Sequence, residues 1–239
     1  MEFLTIGALT VVAGLVGTLT GFGTSTIMLP VLVLFLPPVE AIFLVSIIHW
    51  FGNVWKMLFF RSGIRWKLIA LFGVSGLITS YLGAAAIPQI DDQLLLRILG
   101  GFLIGYGLFL IFQKQVRLQP ATGIAVVGGS LSGFFAGLFG MGGAIRGAFL
   151  SAFDLPKAAY IATAGAIGLL VDSTRIITYA AEGTTLSTSL WYGLILFIPL
   201  SFVGAGVAKK IVYKIPQQQF RIVIAIGLCL LGLKLVIWP

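Results

Sequence analysis

Runs of apolar residues, cut by glycines, prolines and short polar stretches, divide the chain into ten segments. They fall at about 3–20, 25–36, 39–60, 66–87 and 93–112, then at 120–139, 144–153, 157–180, 188–208 and 218–238. A membrane-crossing helix needs about 20 apolar residues. The second and seventh segments, of about 10 to 12 residues, fall short of that and read as half-spanning or re-entrant. These two short segments sit inside two copies of one unit. The first is GLVGTLTGFGTSTIMLPVLVLFLPP, from Gly14 to Pro38, and the second is GFFAGLFGMGGAIRGAFLSAFDLP, from Gly133 to Pro156. Each opens with small residues at helical spacing, breaks at a Gly-x-Gly, and resumes as a short apolar run. Paired interrupted segments at corresponding places in two halves point to the binding site of a secondary transporter.

The predicted fold is an all-α polytopic membrane protein made of two inverted repeats of about five segments each, 3–112 and 120–238, within one transmembrane domain covering 1–239. Five is odd, so the second repeat enters from the opposite face. Aligning the halves places Gly21, Phe22 and Gly23 over Gly140, Met141 and Gly142, with one residue dropped before Pro38 meets Pro156. Farther on, Asn53 falls on Asp172 and Lys56 on Arg175. A polar residue followed three positions later by a cation shares one helix face in both halves.

Composition agrees. Charged residues make up 9% of the chain, against about 25% in soluble domains, and mean hydropathy is +1.11. The first apolar run lacks a basic stretch before it, so no cleavable signal is expected. The lone cysteine, Cys229, excludes a disulfide framework and a cysteine metal site; no cofactor or metal is expected. The net charge of +8 reports topology and not nucleic acid. Basic residues cluster in Lys56–Lys67, Lys114–Arg117 and Lys209–Arg221, while Pro37–Glu40, Asp91–Asp92 and Glu182–Ser189 are acidic or uncharged. The positive-inside rule puts the basic loops in the cytoplasm. The expected location is the inner cell membrane, multi-pass, with both termini outside.

The breaks also carry the candidate chemistry. A broken helix leaves backbone N–H groups open at a helix N-terminus, which favours an anion. Gly21, Gly23, Gly140, Gly142 and Gly143 allow close approach, and Thr24, Ser25 and Thr26 add hydroxyls, unless these only cap or pack. Arg146, in the short helix after the second break, places a forked guanidinium in the apolar zone, to bind an oxyanion, to form a structural pair or to snorkel to the surface. His49, Asn53, Lys56, Asp172 and Arg175 are candidates for gating or coupling. Asp172 and Arg175 can equally form a structural ion pair, and any proton coupling would fall to Asp172 or His49. Trp50, Trp55, Trp66 and Trp191 are expected near the interfaces, with Trp50 lining a cavity. There is no His/Cys/carboxylate cluster and no G-x-S-x-G, so an enzyme is not expected. Expected partners are a small anion and the lipid bilayer. A homo-oligomer stays open, because small-residue stripes serve internal packing and self-association alike. A non-transporting assembly subunit and an anion channel remain alternatives.

Over essentially its whole length the chain resembles the sulfite exporter family, TauE/SafE. The resemblance rests on the length, on the repeated glycine break followed by a short apolar helix, and on the stretch VDSTRIITYAAEG from Val171. It implies transport of sulfur-containing or other organic anions such as sulfite, sulfonates or thiosulfate. The chain departs from the family where the first repeat often carries three glycines, for it has Gly23-Thr24-Ser25-Thr26 there.

Overall fold

Apolar runs of membrane length fold as helices because lipid offers no other partner for backbone N–H and C=O groups. The computed structural model describes residues 2–21, 23–112, 119–212 and 217–239. Its helices are α1 (Glu2–Thr20), α2 (Ser25–Leu32), α3 (Pro38–Phe59), α4 (Trp66–Ala86) and α5 (Asp92–Phe112), then α6 (Thr122–Phe139), α7 (Gly142–Leu150), α8 (Lys157–Ala181), α9 (Thr188–Ile211) and α10 (Gln217–Ile237). Single 3-10 turns, Ile87–Gln89 and Ser151–Phe153, extend α4 and α7. Among the described residues, seven helices are long and apolar enough to cross a membrane: α1, α3, α4 with its turn, α5, α6, α8 and α9. The basic stretch Lys114–Arg117, Phe22 in the first break and Lys214 in the third basic loop lie outside the described residues.

The two short helices re-enter. Chain reversal after α1 brings Gly23 and Thr24 back against Gly17, where an added Cβ would stand 2.6 Å from the Thr24 nitrogen. Farther along the hairpin, the Thr10 hydroxyl lies 3.9 Å from the Met28 sulfur. In the second half Gly142 abuts the backbone of Ser132, and Phe149 covers Gly128. So α2 returns along α1 and α7 returns along α6. Both reversals use glycine in the left-handed region at the same place: Gly21 has φ 76 and Gly140 φ 72, each just after the first helix of its half. A side-chain-bearing residue there would be strained.

Helix entry corrects the register read from the sequence. Pro37 precedes α3 with φ −51, ψ 137, and Pro156 precedes α8 with φ −51, ψ 142. Pro37, and not Pro38, is therefore the counterpart of Pro156, and no residue is dropped. The same separation that joins Gly21 to Gly140 joins Pro37 to Pro156 and Asn53 to Asp172.

Small residues set the helix pairs. With lipid tails as apolar as leucine, association depends on close backbone approach and interhelical hydrogen bonds. Gly129, Gly133 and Gly137 of α6 lie on the backbone of α4 at Phe72, Gly76 and Ser80, so these helices run parallel. The Thr79 hydroxyl crosses between them to the Ser130 carbonyl at 2.7 Å. In the same way Gly14 of α1 meets Gly204 of α9, and Phe3 meets Gly193, again parallel. Gly100 meets Gly232 and Gly107 meets Ala225, so α5 and α10 run antiparallel. Cys229 packs in that seam as a small apolar residue, with its sulfur 3.8 Å from the Ile104 carbonyl.

At one end of the bundle Ser187, before α9, donates to Glu40 of α3 at 2.6 Å. At the other, the Arg65 nitrogen meets the Thr163 hydroxyl at 3.2 Å, and Lys157 bonds the Val212 carbonyl. We call these the Glu40 end and the Lys209 end. The α1–α2 hairpin enters from the first and the α6–α7 hairpin from the second.

A packing test follows. An added Cβ at Gly133 would stand 2.6 Å from the Gly76 Cα, whereas nothing lies within 4 Å at Gly101. Gly133→Leu is expected to destabilise the protein by about 1–3 kcal/mol or more through overpacking, while Gly101→Leu is neutral or better. Thermal unfolding in detergent compares the two, and equal melting would break the close-contact account of α4 and α6.

Candidate functional site

The centre of the protein is the crossing of α3 and α8, which run antiparallel. His49, Asn53 and Lys56 occupy one face of α3, and Asp172 and Arg175 one face of α8. Room for the long polar side chains comes from α8. An added Cβ at Gly168 would lie 2.5 Å from the Asn53 amide nitrogen, and one at Gly165 would lie 3.3 Å from the Lys56 Cβ.

Asp172 is the hub. Its Oδ1 accepts from Arg175 Nε at 2.8 Å. Its Oδ2 accepts from Asn53 Nδ2 at 2.8 Å and lies 2.8 Å from His49 Nδ1. Lys56 Nζ in turn donates to Asn53 Oδ1 at 3.1 Å. The structural ion pair expected for Asp172 and Arg175 is thus present, with His49 and Asn53 on the same carboxylate.

Both breaks hang over this cluster. Gly23 faces His49, whose Nε2 would be 2.6 Å from an added Cβ there, and Thr24 Oγ1 would be 3.2 Å from one at Gly52. Gly140 faces Arg175 in the same way, with Nη1 at 2.6 Å from an added Cβ. The inward-facing polar atoms lack partners among the described residues: Thr24 Oγ1, Ser25 Oγ, His49 Nε2, Arg146 Nε, and Arg175 Nη1 and Nη2. Among the described residues the N-cap Thr24 makes no side-chain cap hydrogen bond to α2, so capping does not explain its hydroxyl.

Arg146 does not snorkel. It is only 3% exposed and points inward, its Nη2 3.2 Å from where a Cβ on Gly168 would stand. Among the described residues it makes no ion pair. Among the described residues the buried charges are therefore three cations, Lys56, Arg146 and Arg175, against one carboxylate, Asp172. Like charges held out of water without compensation are costly.

Other nominated residues sit less centrally. Thr26 is buried in the first turn of α2, and Gly143 is buried in the first turn of α7. Gly142 serves the hairpin fold by abutting Ser132, and Gly21 accommodates the Tyr160 ring. Trp50 donates to Ser173 at 2.9 Å and lines an apolar groove of about 300 Å³ with Ile47, Phe51, Ser173, Ile176 and Ile177. Trp55 donates to Ser201, and Trp66 and Trp191 are exposed.

Two contributors escape a sequence reading. Tyr160 places its hydroxyl 2.8 Å from an added Cβ at Gly147 and 3.2 Å from one at Gly21, so it stands between both hairpins. Nothing in its apolar surroundings marks it. Gly168 gives Asn53 and Arg146 their space, and it occupies the place in α8 that His49 occupies in α3. That correspondence was available as a signal.

Removing the carboxylate tests the hub. Asp172→Asn leaves the three cations without a counter-charge, and breaking a buried pair costs about 3–5 kcal/mol. It should therefore melt well below the wild type. Melting of Asp172→Asn at the wild-type temperature would show that the cluster is not held by this charge.

The chain is similar to known proteins in keeping with this architecture. A probable membrane transporter protein of Methanocaldococcus jannaschii is 27% identical over 188 residues, covering 72% of this chain and 68% of that protein. The family model for sulfite exporter TauE/SafE matches residues 6–235. With that match across nearly all ten helices, the chain belongs to the sulfite exporter TauE/SafE family of membrane transporters.

Proposed function

We propose that the protein is a secondary carrier that moves a small anion, a sulfur oxyanion or an organosulfonate, across the cytoplasmic membrane by alternating access. The observation that carries this reading is Arg146. It is a guanidinium buried at the centre of the bundle with no ion pair among the described residues, beside two more cations and one carboxylate. A planar fork of N–H donors suits the oxygens of sulfite, thiosulfate or a sulfonate. The hydroxyls of Thr24 and Ser25 and the open first turns of α2 and α7 add donors of the same kind. Sulfur enters through the family, since the donor set alone serves a small carboxylate as well.

Alternating access draws support from helix direction. Counterpart helices α3 and α8 run antiparallel, as do α5 and α10, and the hairpins enter from opposite ends. This is the relation expected of inverted repeats, in which one unit rocks against the other about a fixed site. The Lys209 end, which carries Arg61, Arg65, Lys67, Lys209 and Lys210, is the cytoplasmic one by the positive-inside rule. Both termini then lie outside. Arg146 and Thr24–Thr26 face the interior of their own chain, which weighs against a subunit that uses them to grip a partner.

The test is flux in proteoliposomes loaded with radiolabelled sulfite, thiosulfate, sulfate, taurine or sulfoacetate. Wild type should exchange at least one across the membrane in counterflow. Arg146→Ala should lose about tenfold to a hundredfold of that rate, since a hydrogen bond to a charged group is worth about 1.5–3 kcal/mol. Full flux in a folded Arg146→Ala protein would remove Arg146 from the site.

A further inference from the structure

We propose that Lys56 is the proton-exchanging group of this carrier: the anion is carried together with a proton on the Lys56 amine, and the empty site returns with that amine neutral. This rests on the anion-carrier reading and adds its coupling.

The argument is one of charge and chemical type. Lys56 is buried, and the partner of its Nζ is a neutral amide oxygen, Asn53 Oδ1 at 3.1 Å. The charged groups that face it are Arg146 from α7 and Asp172 from α8, with His49 and Asn53 on its own helix and Arg175 next to Asp172. Were Lys56 protonated with the anion absent, three positive side chains would share one carboxylate. Arginine keeps its proton in proteins, and two of the three are arginines. Asp172 already accepts from Arg175 and Asn53 and lies against His49, so adding a proton to it would sacrifice those bonds and deepen the positive excess. Lysine is the one cation of the three that sheds its charge as a neutral amine, and a buried lysine does so readily.

The neutral amine still donates to Asn53 Oδ1, so the cluster keeps its shape through the change. When an anion arrives beside Arg146, its negative charge restores the balance that favours the ammonium, and a proton is taken up from the water on the side then open. On release at the other face both leave. Lys56 lies one turn before the end of α3, close to the Lys209 end, so the return of the proton to water there is short.

Thiosulfate is the suitable probe because it carries no proton of its own near neutral pH. In proteoliposomes, wild type should exchange thiosulfate in counterflow and also accumulate it against its gradient when protons are supplied on the same side. Lys56→Arg keeps the positive charge without the exchangeable proton, so counterflow should persist at a reduced rate while proton-driven accumulation disappears. Accumulation that survives in Lys56→Arg, or a wild type that exchanges thiosulfate in counterflow but does not accumulate it under a proton gradient, overturns the proposal and leaves the carrier standing. A wild type that exchanges none of the five anions overturns the carrier reading and this proposal with it. Should Lys56→Arg lose counterflow as well, the decision passes to purified wild type in weakly buffered detergent solution. Adding thiosulfate should draw protons from the medium, and no uptake would overturn the proposal.

Discussion

One carboxylate ties the halves of this protein together. Asp172 reaches across from α8 to His49 and Asn53 on α3 and along its own helix to Arg175. In lipid there is little hydrophobic drive between helices, so close packing and interhelical polar contacts of this kind set their arrangement. The contact also fixes where everything else stands. The amide of Asn53, turned toward Asp172, offers its oxygen to Lys56, and Arg175 is aimed so that its Nη1 faces Gly140. Among the described residues Arg146 finds no second carboxylate to neutralise it. A site short of negative charge is thus a direct result of having a single acidic residue at the crossing.

Glycine does the complementary work. Where α4 lies on α6 and α1 on α9, missing side chains bring backbones within reach of one another and draw the bundle together. Where the chain must reverse, Gly21 and Gly140 take a left-handed conformation at equivalent points. At the crossing itself, Gly165 and Gly168 leave the space that Lys56, Asn53 and Arg146 fill. The same residue type packs helices, turns hairpins and hollows out the site, according to what stands opposite.

Much of this was legible beforehand. Helix boundaries followed from apolar runs and breakers to within a few residues, because lipid forces nearly every long apolar run into a helix. The pairing of Asn53 with Asp172 and of Lys56 with Arg175 came from repeat register, and the structure brings these residues onto facing surfaces. What sequence could not supply was depth and direction. A nine-residue α7 is compatible with a short crossing or a return, and only the contact of Gly142 with Ser132 decides for a return. Two adjacent prolines, Pro37 and Pro38, offer two registers in the sequence, and backbone angles separate them. Tyr160 was missed because an aromatic in an apolar helix carries no pattern of its own. Its significance comes from two glycines far apart in the chain.

The halves keep the same spacing while their chemistry has parted. Asn53 answers Asp172, Lys56 answers Arg175, and His49 answers Gly168. Two identical repeats related by inversion would give a machine whose inward-open and outward-open forms are images of each other, equal in energy and reached equally often. With imidazole on one side and a bare glycine on the other, and with one charged and one neutral member in the first pair, that degeneracy is lifted. In the carrier proposed above, the two faces of the membrane would then not be equivalent, even before any gradient acts.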